Sequence, residues 1–508
     1  MPVSADALRD RLSLQFELVC FVDLAEVSHQ HSAIFSLLER HHKEAYTPTQ
    51  RLVFYTSHQP DQKFLNHLQR AVSSVDISNF FVVIFTPYNI SSELQQANQL
   101  YGHDSSVINW ISVDLADTDQ ISSDNFYPYD TMCPLPFTSL FVNVDGTAAP
   151  CCKIADPSGN IYKNTLSDIF HSSNTQNIRR QMQQGSKPDA CKVCWHIDDI
   201  GGTSLRRHSI DKLGKQLDRG WIDNLSIKDI SITPSSLCNF KCRICNPGTS
   251  SQVAVEELQY ANTLSDTSKL KQFLKFARSN VDPYIQQLLL EIQNDLKYLR
   301  VLGGEPFMLP GLEELMCKLI SSGHSSHIFL EFNTNGSIWP SSIVELFEHF
   351  RKVEILVSID NIGSKFETER SGVWEEIEQN LCKFAAIASD TVSIKMIVTI
   401  SIQNLLYLEN IIEFANTIGV SIVWSYLESP ENLCIDHVTQ EVKDLVYQQY
   451  HNHPNSELAK ISNRLQCTPA TTGHEFLQYI DKIDQRRGQE FFKTHPEIYT
   501  AMGGQIDR

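Results

Sequence analysis

LCNFKCRICNP, residues 237–247, carries three cysteines, Cys238, Cys242 and Cys245, in the spacing Cys-x3-Cys-x2-Cys, directly after the strand-like stretch SIKDISITP (226–234). Three thiolates are one short of what a tetrahedral zinc or a fully ligated iron–sulfur cluster takes from protein. A [4Fe–4S] cluster held by such a trio keeps one iron open to another ligand, and an open iron is a place for chemistry. The competing reading is structural, because closely spaced cysteines also serve as small buried hydrophobes or as half of a zinc site.

The downstream sequence weighs on that choice. LKYLRVLGGEPFMLPGLEEL (296–315) reads as an apolar strand, a Gly-Gly turn and an amphipathic helix, with Gly303, Gly304, Glu305 and Pro306 at the strand end. Glycines let backbone approach a ligand closely, and a carboxylate accepts from an ammonium. HIFLEFNTNGS (327–337) is a strand ending in Asn333, Thr334 and Asn335. VEILVSID (353–360) is another, followed by a loop and helix, with Ser358 and Asp360 at its end and Arg370 ten residues on. Two more strands, VSIKMIVTIS (392–401) and VSIVWSYLES (420–429), flank the helix LYLENIIEFANTIG (406–419). The count is six β/α units between about 225 and 430, which fits a partial (β/α)6 barrel with its site at the C-terminal strand ends.

This set of motifs resembles the radical S-adenosylmethionine (SAM) enzymes. The resemblance implies that Cys238, Cys242 and Cys245 hold a catalytic [4Fe–4S] cluster whose open iron is chelated by SAM. Ile244 then fills the apolar slot before the last cysteine, and Gly303, Gly304, Glu305 and Pro306 form the GGEP motif that meets the methionine amino group. It also implies SAM contacts at Asn333, Ser358, Asp360 and Arg370, the last three for ribose and carboxylate, which suits a carboxylate on hydroxyls and an Arg fork on a carboxylate. In that family an electron cleaves SAM to methionine and a 5'-deoxyadenosyl radical.

A second group of cysteines lies upstream. CPLPFTSLFVNVDGTAAPCC (133–152) and IRRQMQQGSKPDACKVCW (178–195) supply Cys133, Cys151, Cys152, Cys191 and Cys194. Strand alternation in FTSLFVNV and the turn Asp145-Gly146 predict a hairpin that brings Cys133 and Cys151 to neighbouring strands. The segment resembles the twitch domain, a shorter relative of the SPASM module, here ahead of the barrel as in one subgroup of the family. The resemblance implies a second [4Fe–4S] cluster on Cys133, Cys151, Cys191 and Cys194. A four-cysteine zinc ribbon is the alternative, and Cys152 is an alternative to Cys151. GGTSLRRHSID (201–211), with Gly201, Gly202, Arg206 and Arg207, reads as a solvated connector, with a contact to SAM or substrate as the alternative.

Length and charge bound the rest. A chain of 508 residues exceeds one core and divides here into 1–125, 126–224, 225–430 and 431–508. FELVCFVDL, RLVFYTS, NFFVVIFTP and VINWISVDL, with helices between them, make residues 1–125 a small parallel α/β domain. Its one glycine, Gly102, leaves no Gly-rich phosphate turn, so it reads as a substrate or partner module; its histidines, His29, His31, His41, His42 and His58, read as surface residues. After Pro430 the chain reads as amphipathic helices packed on the barrel. Cys20, Cys317 and Cys382 fall in apolar periodic segments and read as core residues. Cys434 follows the sixth strand on the loop side, as an inert thiol or a hydrogen-atom donor. A net charge of −18 argues against nucleic acid as a partner. No stretch reaches eighteen apolar residues and no signal layout opens the chain, so the expected compartment is the cytoplasm, without a membrane.

The fold class expected is therefore α/β: a partial (β/α)6 barrel with a small N-terminal parallel α/β domain, a twitch-like Fe–S domain and C-terminal helices. The function expected is hydrogen-atom abstraction from a peptide or protein, with an auxiliary cluster in electron transfer and an external one-electron reductant such as flavodoxin or ferredoxin. The alternatives are dehydrogenation or epimerisation of a small molecule such as a sugar or cyclitol, and a non-catalytic Fe–S assembly protein.

Overall fold

The computed structural model describes residues 131–199, 204–213, 225–261, 267–277, 281–309 and 311–506, together with the backbone of four N-terminal strands. Those four, β1 (Leu18–Asp23), β2 (Arg51–Tyr55), β3 (Phe81–Thr86) and β4 (Ile108–Ser112), coincide with the four apolar runs and pair in parallel in the order 1-2-3-4. Among the described strands the order has no reversal. Cys20 lies on β1, its side chain outside the described residues.

The chain divides into two compact units. One comprises Met1–Phe137, Ser173–Trp195 and Thr203–Leu225; the other comprises Thr138–Ser172, His196–Gly202 and Ser226–Arg508. The second unit is built on a nine-stranded sheet. In chain order its strands are β5 (Ser139–Val142), β6 (Thr147–Ala149), β7 (Gly159–Asn160), β8 (Asp229–Ile232), β9 (Tyr298–Val301), β10 (Phe329–Thr334), β11 (Lys352–Ser358), β12 (Val392–Ile400) and β13 (Ser421–Tyr426). Strands β8 to β13 are neighbours in chain order and all parallel, which is the six-unit barrel read from sequence. The hairpin β5–β6 extends the same sheet, β5 running parallel to β8. Its turn is the one expected at Asp145-Gly146: Gly146 has φ +81°, and the Asp145 carboxylate accepts from the Thr147 amide and hydroxyl.

Strand alternation sorts the two faces of this sheet. On β12, Val392, Ile394, Met396, Val398 and Ile400 are buried, while Ser393, Lys395, Ile397 and Thr399 between them are partly exposed. Full burial of side chains such as Met396 or Val398 stabilises by about 1.5–3 kcal/mol each. In register, Ser231, Arg300, Glu331, Glu354 and Ser393 form one polar rung across β8 to β12. Arg300 is held on this face by Asp229 at 3.0 Å and Glu331 at 3.3 Å, and Lys395 by Glu354 at 2.6 Å.

Helices Gln440–Tyr450, Ser456–Cys467 and His474–Arg487, with short Phe491–Thr494 and Pro496–Ala501, follow the sixth barrel strand as expected. Two cysteines depart from expectation. Cys317 and Cys382 are exposed, not core. Each sits one position from buried residues on an amphipathic helix, Met316 and Leu381 respectively, and the 100° step per residue carries it to the solvent side.

Candidate active site

Parallel strands put all their C-terminal ends at one edge, so the loops after β8, β9, β10 and β11 converge there. The loop after β8 carries the three cysteines. Cys238 and Cys242 are buried and Cys245 is partly so. The loop is held by its own polar groups: the Cys238 amide donates to Ser251 Oγ at 3.1 Å, Ser250 Oγ donates to the Phe240 carbonyl at 2.6 Å, and the Cys245 amide donates to the Cys242 carbonyl at 3.1 Å.

The Gly-Gly turn after β9 is explained by that loop. Gly303 has φ +137°, and a Cβ there would meet the Ser235 carbonyl at 2.5 Å; one on Gly304 would meet the Leu237 carbonyl at 2.2 Å. The close approach these glycines permit is filled by the chain's own backbone, with the Gly304 amide on Ser235 O (3.1 Å) and the Glu305 amide on Leu237 O (2.8 Å). Glu305 is fully buried and caps the short 3-10 turn that starts at Pro306. Its Oε1 accepts from Phe307 N at 3.2 Å and Thr334 Oγ1 at 2.8 Å, and its Oε2 from Asn335 N at 2.7 Å. Burial pushes this carboxyl up to about 7 despite those donors. Oε2 retains a lone pair for one further donor.

Asp360 and Arg370, expected as separate ligand contacts, pair with each other. Asp360 Oδ1 also accepts from Thr399 N at 2.8 Å, and its carbonyl from Asn404 Nδ2 at 2.9 Å. Arg370 is buried on helix Gly363–Arg370, its carbonyl 3.6 Å from Cys242 Sγ. Ser358 ends β11, and Asn333 lies near the end of β10, both partly buried. Asn335, unmarked as a ligand in the sequence reading, ties the β10 end to the cysteine loop, its Nδ2 donating to Asn239 Oδ1 at 2.9 Å and standing 3.9 Å from Cys238 Sγ. Ile244 lines a crevice with Cys242, Cys245, Pro430 and Tyr479. Cys434 is buried between two 3-10 turns, its Sγ donating to Pro430 O at 3.4 Å, and burial pushes its thiol up to about 12.

The residues present fit a cluster with SAM. Arg370 Nε and Asn333 Oδ1 are buried without a partner among the described residues, and three thiols stand beside them on one loop. Orphaned polar atoms are costly to bury and mark places where a ligand group completes the bonding. Among the described residues no three His, Cys, Asp or Glu side chains converge as a single-ion site does.

The upstream cysteines fall in two places. In the first unit, Cys133, Cys191 and Cys194 interact electrostatically with one another and with Arg206. Cys133 is not on a strand as expected; it precedes the short helix Leu135–Thr138. Arg206 is not a solvated connector residue: it is buried on helix Leu205–Leu213, 4.5 Å over the Trp195 ring, with its Nη1 on Met132 O at 3.0 Å. Arg207 is exposed, and Gly201 and Gly202 lie outside the described residues. In the second unit, Cys151 and Cys152 follow β6, with Cys152 exposed and flanked by Lys153, Arg300 and Glu428.

Comparison with known proteins fits this geometry. The family model described as the radical SAM superfamily matches residues 232–415, and SPASM, an iron–sulfur cluster-binding domain, matches 133–195. The chain is similar to GTP 3',8-cyclase of Helicobacter pylori (strain ATCC 700392 / 26695), 26% identical over 238 residues, 45% of this chain and 65% of that one. It is also similar to GTP 3',8-cyclase of Campylobacter fetus subsp. fetus (strain 82-40), 24% identical over 221 residues, 42% and 59% of the two chains. The matches thus span less than two thirds of either relative. Among solved structures, Streptococcus suis SuiB bound to precursor peptide SuiA is similar at 13% identity and TM-score 0.30, covering 63% of this chain and 66% of that one. Among the described residues no helix is long and apolar enough to cross a membrane. With a match to the superfamily on the strands that carry the three-thiolate loop, and a match to a cluster-binding domain ahead of them, the chain carries a radical SAM domain preceded by an iron–sulfur cluster-binding domain.

Proposed function

We propose that this enzyme cleaves SAM reductively at Cys238, Cys242 and Cys245 and abstracts a hydrogen atom from a peptide or protein, using a second [4Fe–4S] cluster in electron transfer. The observation that carries the reading is the buried Arg370 with an unpartnered Nε beside the thiol loop. When bound and reduced, the cluster supplies the electron that splits SAM into methionine and a 5'-deoxyadenosyl radical. The chain's own residues bind and orient. Arg370 offers a guanidinium fork to the SAM carboxylate, and Glu305 offers Oε2 to its ammonium. Asp360 holds Arg370 in place, and Ser358 and Asn333 offer hydrogen bonds to the ribose. The Ile244 crevice gives an apolar wall beside the loop. Cys133, Cys191 and Cys194 of the first unit would hold the second cluster, with flavodoxin or ferredoxin as the external reductant.

A small-molecule substrate is the second reading, favoured by relatives that are GTP cyclases. The polar face of the barrel sheet bears on this choice. Arg300 and Lys395 are both held by carboxylates, three of which share the two cations, and a triphosphate needs cations that are not already neutralised. That supports a peptide over a nucleoside triphosphate. The test is 5'-deoxyadenosine formation by anaerobically reconstituted, reduced protein, alone, with GTP and with candidate peptides. No SAM cleavage under any condition would overturn the enzyme reading; stimulation by GTP with consumption of GTP would overturn the peptide reading.

A further inference from the structure

Arg243 stands inside the three-cysteine motif, between Cys242 and Ile244, yet its side chain serves a segment more than 200 residues away. It is fully buried, and its Nη2 pairs with Asp484 and donates to Gln489 Oε1 at 2.8 Å. The guanidinium lies 5.3 Å over the Phe491 ring, and Tyr479 Oη donates to the Arg243 carbonyl at 2.6 Å. Asp484 in turn accepts from the Phe491 amide at 2.6 Å through its other oxygen.

The same segment grips the helix that carries Arg370. Arg243 donates from Nε to Thr368 O at 3.0 Å and from its amide to Glu369 O at 2.8 Å. Glu369, the neighbour of Arg370, is buried and meets His495 Nε2 at 2.8 Å and Asn361 Nδ2 at 2.9 Å through one oxygen. His495 stacks on Phe491 with centroids 4.1 Å apart, and Thr494 Oγ1 donates to Thr368 Oγ1 at 3.2 Å. One buried polar network therefore joins three pieces: the thiol loop, helix Gly363–Arg370, and the C-terminal segment from Tyr479 to His495. Arg243 Nη1 and Glu369 Oε2 are buried without a partner among the described residues, and the network's other bonds tie the three pieces together.

We propose that the C-terminal segment is a positioning element of the SAM site, setting the thiol loop and the Arg370 helix at the separation SAM requires, with Arg243 and Asp484 as its fastening point. The inference rests on the reading of this loop as the cluster and SAM site. These C-terminal residues act through Arg243, Thr368 and Glu369, and Tyr479 also lines the crevice beside Cys242 and Cys245. The sequence leaves them invisible because the partners of Arg243 are fixed only by the packing of the last helices on the barrel.

The experiment compares reconstituted wild type with Asp484→Asn and, as a milder change, Tyr479→Phe, which removes only the donor to the Arg243 carbonyl. Iron content and thermal melting report assembly and folding. Equilibrium dialysis of SAM, and the SAM-induced shift in the electron paramagnetic resonance spectrum of the reduced cluster, report positioning. The expected result is wild-type iron in both variants, SAM affinity down about tenfold in Asp484→Asn and two- to threefold in Tyr479→Phe, and an altered spectral shift in both. Asp484→Glu should recover most of the affinity. Unchanged affinity and an unchanged shift in folded variants would overturn the proposal while leaving the SAM site intact; if Asp484→Asn fails to fold, Tyr479→Phe alone decides. A wild type that binds no SAM would overturn the site itself.

Discussion

Two groups of cysteines in one chain meet different electrostatics. In the barrel loop, the bond from Cys245 brings the Cys242 thiol down to about 7 against the pull of burial, with the Arg370 guanidinium adding to the effect. Cys245 is pushed well up in exchange, and burial pushes Cys238 up to about 11. In the upstream group, burial pushes Cys191 up to about 12 and Cys133 further still, neighbouring thiolates reinforce both, and Arg206 opposes them only weakly. A metal takes the thiolate, so ligation must expel those protons. The barrel loop has one thiol drawn down by its neighbour's hydrogen bond with a buried cation beside it; upstream, burial holds Cys133 and Cys191 up. Burial raises the thiols in both groups, and the hydrogen bond from Cys245 is what sets Cys242 apart.

The largest effect that tests this contrast is removal of each group in turn. Replacing Cys238, Cys242 and Cys245 together by Ala should abolish 5'-deoxyadenosine formation and take iron from about eight to about four atoms per chain. Replacing Cys133, Cys191 and Cys194 should cost the same iron, yet leave SAM cleavage in the absence of substrate. Iron analysis beside product chromatography checks both, and loss of SAM cleavage in the upstream variant would erase the distinction. Zinc in place of the missing iron would point to a ribbon.

Next in size is the Arg370–Asp360 pair. Arg370→Ala should weaken SAM binding about tenfold to a hundredfold, the equivalent of one charge-assisted contact of roughly 1.5–3 kcal/mol. Because Asp360 is buried against Arg370, either single variant strands a charge, at a cost on the order of 3–5 kcal/mol in stability. The two losses should therefore be far from additive in the double variant. Additive effects on SAM affinity and melting would mean that the two residues act separately.

A smaller effect follows from Glu305, whose carboxyl burial raises to about 7. Because the folded pKa lies above the unfolded one, its contribution to stability is present in acid and is lost as pH rises through about 7. SAM binding should run the other way. An ammonium prefers the ionised carboxylate, so affinity should climb between pH 6 and 8 and level off above, and Glu305→Gln should flatten the profile. A wild-type profile already flat over that range contradicts the assignment.

The smallest effect expected is at Cys434. With a substrate in hand, reaction in deuterated water should give an oxidised product without solvent deuterium at the reacting carbon, unchanged in Cys434→Ala. A redox-neutral product whose deuterium disappears in that variant would make Cys434 the hydrogen donor and the reaction an epimerisation.

The sequence alone determined the six barrel strands and their parallel order, since each is a short apolar run separated from the next by a stretch of helical period, and short local patterns suffice to state that. It also determined the two cysteine groups and the Asp145-Gly146 turn, because ligand spacing and turn chemistry are local. Only the tertiary structure decided what those residues meet. The Gly303-Gly304 pair reads in sequence as room for a ligand, and is used for the backbone at Ser235 and Leu237. Asp360 and Arg370 read as two contacts and form one pair. Arg206 reads as a solvated connector residue and is buried against Trp195. The partners of Arg243 stand more than 200 residues away. Periodicity and spacing report which face a residue occupies, whereas its partner is fixed by how separate elements pack, and no local pattern encodes that distance.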